Sequence, residues 1–87
     1  MPEPVPAGRP ARLQLLVRAG CHLCITAAET LGRVGGEFGE VVQEVDVDTD
    51  PALQAEYGDR VPVVLLDGAE HSYFTVDVLR LRRDLAG

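Results

Sequence analysis

The residues of this chain best equipped for chemistry are two cysteines, spaced as Cys21-His22-Leu23-Cys24. A thiolate is the nucleophile of disulfide exchange and also a ligand for zinc, so the spacing alone leaves both chemistries open. Position decides between them. Leu13-Gln14-Leu15-Leu16-Val17 is an apolar run of strand length, closed by Arg18, Ala19 and Gly20. Cys21 therefore follows a strand-to-helix turn, and Cys24 falls in the first turn of the helix. Unpaired backbone N–H groups and the positive end of the helix dipole lie there, and both favour a thiolate. On this placement Cys21 is the attacking sulfur. Cys24, one turn on and facing the core, is set to resolve a mixed disulfide.

Other positions bear on the same site. His22 either stabilises the Cys21 thiolate as an imidazolium or faces solvent and only tunes the potential, and nothing in the sequence separates the two. Val61-Pro62 opens an apolar run, where a proline cannot donate to a sheet ladder. Its presence beside a Cys pair leads us to expect a cis peptide there. His71 would complete a metal site only with Cys21, Cys24 and His22. It falls on an edge strand beyond a hairpin, and the usual four-ligand spacing is missing, so no zinc or iron–sulfur centre is expected. Asp46, Asp48 and Asp50 imitate the start of a calcium loop, but Pro51 and Tyr57 occupy the positions that need Gly and Glu. They read as a solvated strand end and a helix cap. Tyr73-Phe74 could line a peptide groove, but aromatic residues on an edge strand are rather expected to pack against a neighbouring helix.

The elements that must position these residues follow from periodicity. A helix is predicted from His22 to Val34, with Cys24, Ala28, Leu31 and Gly35 on one stripe and Gly35-Gly36 as its stop. Residues 41–48 form a second strand. Asp50 caps the next helix, with Pro51 at its first position and Gly58 as the stop. Residues 61–66 are a third strand, joined by an Asp67-Gly68 turn to an edge strand over 69–74. Thr75 caps a final helix with Asp77 in its first turn and Val78, Leu81 and Leu85 on one face. The order is β-α-β-α-β-β-α, an α/β arrangement with a four-stranded mixed sheet flanked by helices.

That order is the minimal thioredoxin fold, and the residues from Leu13 to about Leu85 resemble the glutaredoxins, bacterial glutaredoxin-like proteins with a Gly-Cys-His-Leu-Cys motif above all. Gly20-Cys21-His22-Leu23-Cys24, Val45-Asp46-Val47-Asp48, Asp50-Pro51, Gly58 and Arg60-Val61-Pro62-Val63 carry the resemblance. It implies that Cys21 is the nucleophile, Cys24 the resolving thiol and Pro62 a cis proline that, with Val61, shapes the substrate groove. It also implies that Arg18, before the motif, supports the thiolate or a glutathione carboxylate. Dithiol glutaredoxins have Cys-Pro-Tyr-Cys and a glutathione-binding Gly-Gly pair near the last helix. Here Tyr73-Phe74-Thr75-Val76-Asp77 takes that place, leaving Thr75 and Asp77 as the polar groups. No resident cofactor is implied, and glutathione as co-substrate lacks its glycines.

Composition narrows the partners. Eighty-seven residues make one domain with a modest core. The net charge of −6, with every basic residue an Arg, disfavours nucleic acid and anionic lipid. Arg80, Arg82 and Arg83 suit the negative end of a helix dipole. No stretch reaches the roughly twenty apolar residues of a membrane span. Residues 1–12 hold four prolines and no apolar core of a signal peptide, so they read as a disordered arm before a domain over 13–87. The expected setting is the reducing cytoplasm and the expected state a monomer. The expected partner is a disulfide-bearing protein or a small thiol. The alternative is a non-catalytic binding or redox-sensing module using the cysteine pair, as metal ligands or otherwise.

Overall fold

The computed structural model describes residues 11–87. The elements are β1 (Leu13–Val17), α1 (His22–Glu37), β2 (Val42–Asp46), a 3-10 turn (Val47–Thr49), α2 (Pro51–Tyr57), β3 (Val63–Leu66), β4 (Ala69–Tyr73) and α3 (Val78–Ala86). The four strands form one sheet in the order β2-β1-β3-β4. β1 is central, parallel to β2 and antiparallel to β3, and β4 returns antiparallel along β3.

A strand turns alternate residues to opposite faces, so an unbroken apolar run suits a strand covered on both sides. β1 is such a strand. Leu13 and Leu15 join Ala27, Leu31 and Val34 of α1 and Leu81 and Leu85 of α3 in one core. Leu16 points the other way, to Val47, Val63 and Leu65, with Leu53 and Tyr57 of α2 packed alongside. Each fully buried leucine contributes on the order of 1.5–3 kcal/mol through the water it sheds.

Several element ends differ from the expectations above: β2 stops at Asp46, with Val47–Thr49 wound into the 3-10 turn, and β3 starts at Val63, after the cis Val61–Pro62 peptide. α1 runs through Gly35-Gly36 to Glu37, and the reversal falls at Gly39, where φ is +71°. Gly35 instead serves close packing. A Cβ there would lie 3.1 Å from Leu13 Cδ1 and 3.2 Å from the Glu40 carbonyl oxygen, so only glycine lets α1 sit this near the sheet. The last helix starts at Val78, with Asp77 rather than Thr75 as its cap: Asp77 Oδ1 accepts the Arg80 N–H at 3.3 Å. Thr75 is held in the preceding turn, its N–H given to the Tyr73 carbonyl at 2.8 Å, while the Phe74 N–H reaches Pro62 O at 2.7 Å. A chain turning back at Phe74 (φ +67°) cannot begin a helix there.

Elsewhere the local chemistry is as read. Asp50 accepts the Ala52 N–H at 2.9 Å and Pro51 opens α2. Asp67 and Gly68 both take positive φ, as a tight hairpin requires. Asp46 caps the 3-10 turn through the Asp48 N–H.

Residues 1–10 of the expected arm lie outside the described residues. Arg12, placed at the arm's end, instead lies on the domain, bonded to Asp67 and Glu40 at 2.9 and 3.0 Å. Of the three C-terminal arginines only Arg83 sits in the last turn of α3. Arg82 forks onto Glu37 and ties α3 to α1, and Arg80 donates to the His71 carbonyl oxygen. Their spacing on the helix sends them to three different partners.

Candidate active site

Cys21 is the N-cap of α1. Its backbone is extended (φ −94°, ψ 107°), and its sulfur accepts the Cys24 N–H at 3.1 Å, satisfying one of the helix's unpaired donors. Gly20 before it has φ +77°, a conformation that admits the turn from β1 into the helix. Cys21 and Cys24 are joined as a disulfide, with their Cα atoms 5.2 Å apart. Cys21 is partly exposed, whereas Cys24 is 5 % exposed and belongs to the buried face of α1. The first turn of α1 holds no acidic residue to compete with a thiolate for the helix end.

A cavity of about 410 Å³ opens beside the disulfide. Val17, Cys24, Ile25 and Ala28 give it apolar walls, and Arg18, His22, Glu29 and Glu44 add polar groups. His22 is exposed at the helix start. Arg18 is taken up by the protein itself: Nη2 and Nε meet the Asp48 carboxylate at 3.0 and 3.2 Å, and Nη1 donates to the Gly58 carbonyl oxygen at 3.0 Å. The guanidinium holds Asp48 below the ordinary carboxylate range. Arg18 therefore clips the loop before Cys21 to the 3-10 turn and the end of α2.

The other expected site residues stand just before β3 or between β4 and α3. Val61 packs on the core around Leu16 and Val47, and Pro62 is fully buried, with a cis Val61–Pro62 peptide. Thr75 and Asp77 are exposed between β4 and α3. None of these four lines the cavity. Tyr73 and Phe74 are both about half exposed and meet each other edge to face, with ring centroids 5.0 Å apart. Tyr73 ends β4 and Phe74, with its positive φ, turns the chain away after it. His71 is buried and bonds Asp84 through Nε2 at 2.8 Å. Among the described residues, no group of three or more His, Cys, Asp or Glu could hold a metal ion, and no helix is long and apolar enough to cross a membrane.

Two cavity residues escaped the sequence reading. Glu29 lies on the outward side of α1, and Glu44 reaches the cavity only because β2 pairs with β1, where Glu44 stands opposite Leu15. The alternation of β2 marks Glu44 as exposed, but only the register shows what it stands beside.

The model of the family described as Glutaredoxin-like domain (DUF836) matches residues 12–86. An uncharacterized protein of Mycobacterium tuberculosis is 50 % identical over 80 residues, which cover 86 % of this chain and 82 % of the relative. Among solved structures, the X-ray structure of protein XcR50 from X. campestris is 35 % identical. The match has a TM-score of 0.68 and covers 85 % of this chain and 95 % of that one. A mutant thioredoxin from Halobacterium salinarum, 24 % identical with a TM-score of 0.57, shares the fold over 84 % of this chain and 69 % of its own. The four-stranded mixed sheet with its three helices is thus the thioredoxin-like arrangement expected from the element order.

Proposed function

Because the chain belongs to the glutaredoxin-like domain family, we propose that it is a thiol–disulfide oxidoreductase working through a mixed disulfide on Cys21. The placement of Cys21 carries this reading: its sulfur caps a helix, and the residue is more exposed than Cys24, to which it is bonded. In the reduced protein the Cys21 thiolate attacks one sulfur of a substrate disulfide. A new S–S bond forms to Cys21 as the substrate's own S–S bond breaks, and the other substrate sulfur leaves as a thiolate. Cys24 then gives up its proton and attacks the Cys21 sulfur. The internal disulfide closes and the second substrate sulfur departs as a thiolate. Two electrons have passed from the cysteine pair to the substrate, and a dithiol, or two molecules of a monothiol, returns them by the reverse exchange.

His22, at the exposed helix start, is placed to tune the potential of the pair. β3 lies across β1 from β2, so we assign Val61, Pro62, Thr75 and Asp77 to the opposite flank of the motif, where they bound a substrate groove. The Phe74 N–H bond to the Pro62 carbonyl supports this, because it draws the segment leading to Thr75 against the start of β3. Glutathione is not required by this scheme, and the Tyr73–Asp77 stretch offers no glycine pair for it.

Trapping tests the proposal. A reduced Cys24→Ser variant mixed with a disulfide-linked peptide should accumulate a one-to-one mixed disulfide, located at Cys21 by mass spectrometry of the digest. The wild-type protein should instead release both peptide thiols and end oxidised. No adduct on Cys21, with the wild-type protein releasing no peptide thiols, would contradict the proposal and favour a non-catalytic docking role.

A further inference from the structure

We propose that the cavity between α1 and β2 is a specificity pocket for a cationic side chain, Arg or Lys, next to the reacting cysteine of a polypeptide disulfide. The inference rests on the exchange reading above and names the substrate class that the same site selects.

The composition of the cavity points to such an occupant. Its walls of Val17, Ile25 and Ala28 are apolar and suit a methylene stem. Its charged groups are Arg18, Glu29 and Glu44. The Arg18 charge is met by the Asp48 carboxylate and its remaining nitrogen by the Gly58 carbonyl. Glu29 and Glu44 enter no ion pair among the described residues. The uncompensated charge of the cavity is therefore negative and comes from two elements, Glu29 on α1 and Glu44 on β2. Apolar walls beside carboxylates that enter no ion pair complement a long aliphatic side chain with a cationic head.

The location is equally specific. Cys21 and Cys24 both line the cavity, so an occupant lies directly beside the S–S bond to be exchanged. Val61, Pro62, Thr75 and Asp77 do not line it, and the strand order sets β2 and β3 on opposite sides of β1. A polypeptide crossing the motif has its cystine at Cys21 and a neighbouring side chain within reach of this pocket. The carboxylates also act at longer range. With a net charge of −6 the protein attracts a cationic disulfide and repels an anionic one, glutathione disulfide included.

The test compares three disulfide-linked peptides, identical except for Arg, Gln or Glu beside the cysteine, in their second-order rate of oxidising the reduced protein at low ionic strength. The Arg peptide should react about tenfold faster than the Glu peptide, with Gln between them, and added salt should narrow the gap. In a Glu29→Gln/Glu44→Gln variant the Arg-to-Glu ratio should collapse towards one. A Glu56→Gln/Asp59→Asn variant, with the same change in net charge on and after α2, should keep most of it. A protein that oxidises with all three peptides at equal rates overturns the pocket and leaves the exchange reading standing. A ratio that falls equally in both variants assigns the preference to net charge and also overturns the pocket. A protein that reacts with none of the peptides, nor with hydroxyethyl disulfide, overturns both readings.

Discussion

At the scale of single residues, Cys21 combines two roles in one sulfur. It caps α1 and presents the atom that would react, so the backbone donor that completes the helix also favours the thiolate. A second residue pair, His71 and Asp84, fastens the edge strand β4 to α3. The hydrogen bond from His71 holds the Asp84 carboxyl below its ordinary value near 3.8, with Arg83 adding to the effect. Because the folded state has the lower value, this contribution is in full force above the ordinary value and is lost as pH falls through the folded one. Asp84→Asn should therefore lower the urea midpoint at neutral pH and flatten its decline on the acid side, measured between roughly pH 6 and pH 2. An acid limb identical to that of the wild type would show that the pair contributes nothing to the pH dependence. Arg18 teaches a related point. Its place before the motif was legible, but its partner was not, because Asp48 lies thirty residues on and meets it only once β2 has paired with β1.

At the scale of elements, what could be read was what is local. The Asp50-Pro51 start of α2, the Asp67-Gly68 turn and the apolar run of β1 each need only a few neighbouring residues, and each stands where periodicity and turn chemistry put it. The end of α1 and the start of α3 are not fixed by local signals, which are ambiguous at both points. A glycine pair that could stop a helix also lets one pack closely, and Thr75 and Asp77 are both competent caps. Only the approach of α1 to Leu13 and Glu40, and the turn at Phe74, resolve them. Two substitutions separate the roles of the α1 glycines. At Gly32 a Cβ meets nothing within 4 Å, so Gly32→Ala should stabilise the protein by about 0.5–1 kcal/mol. Gly35→Ala drives a methyl against a backbone oxygen and a core leucine and should destabilise it by about 1–3 kcal/mol. Chemical denaturation of the two variants decides, and equal shifts of the same sign would contradict the packing role of Gly35.

At the scale of the molecule, two small cores share one strand. Leu13 and Leu15 belong to the face under α1 and α3, Leu16 to the face under the 3-10 turn and α2, and β1 delivers Cys21 from between them. In the proposed site the sheet order gives the motif two unlike flanks, the acidic cavity towards β2 and the Val61-Pro62 segment towards β3. The cysteine pair and the element order were legible from the residues, whereas the cavity was not, since Glu29 and Glu44 come together only through long-range pairing. Everything proposed here depends on Cys21 being the activated sulfur. The direct measurement is the pH dependence of alkylation of Cys21 in Cys24→Ser and of Cys24 in Cys21→Ser. The Cys21 midpoint should fall clearly below the value of about 8.5 for an ordinary thiol, with Cys24 the slower and less acidic of the two. A Cys21 midpoint at or above that value, or a Cys24 that reacts first, would contradict the account.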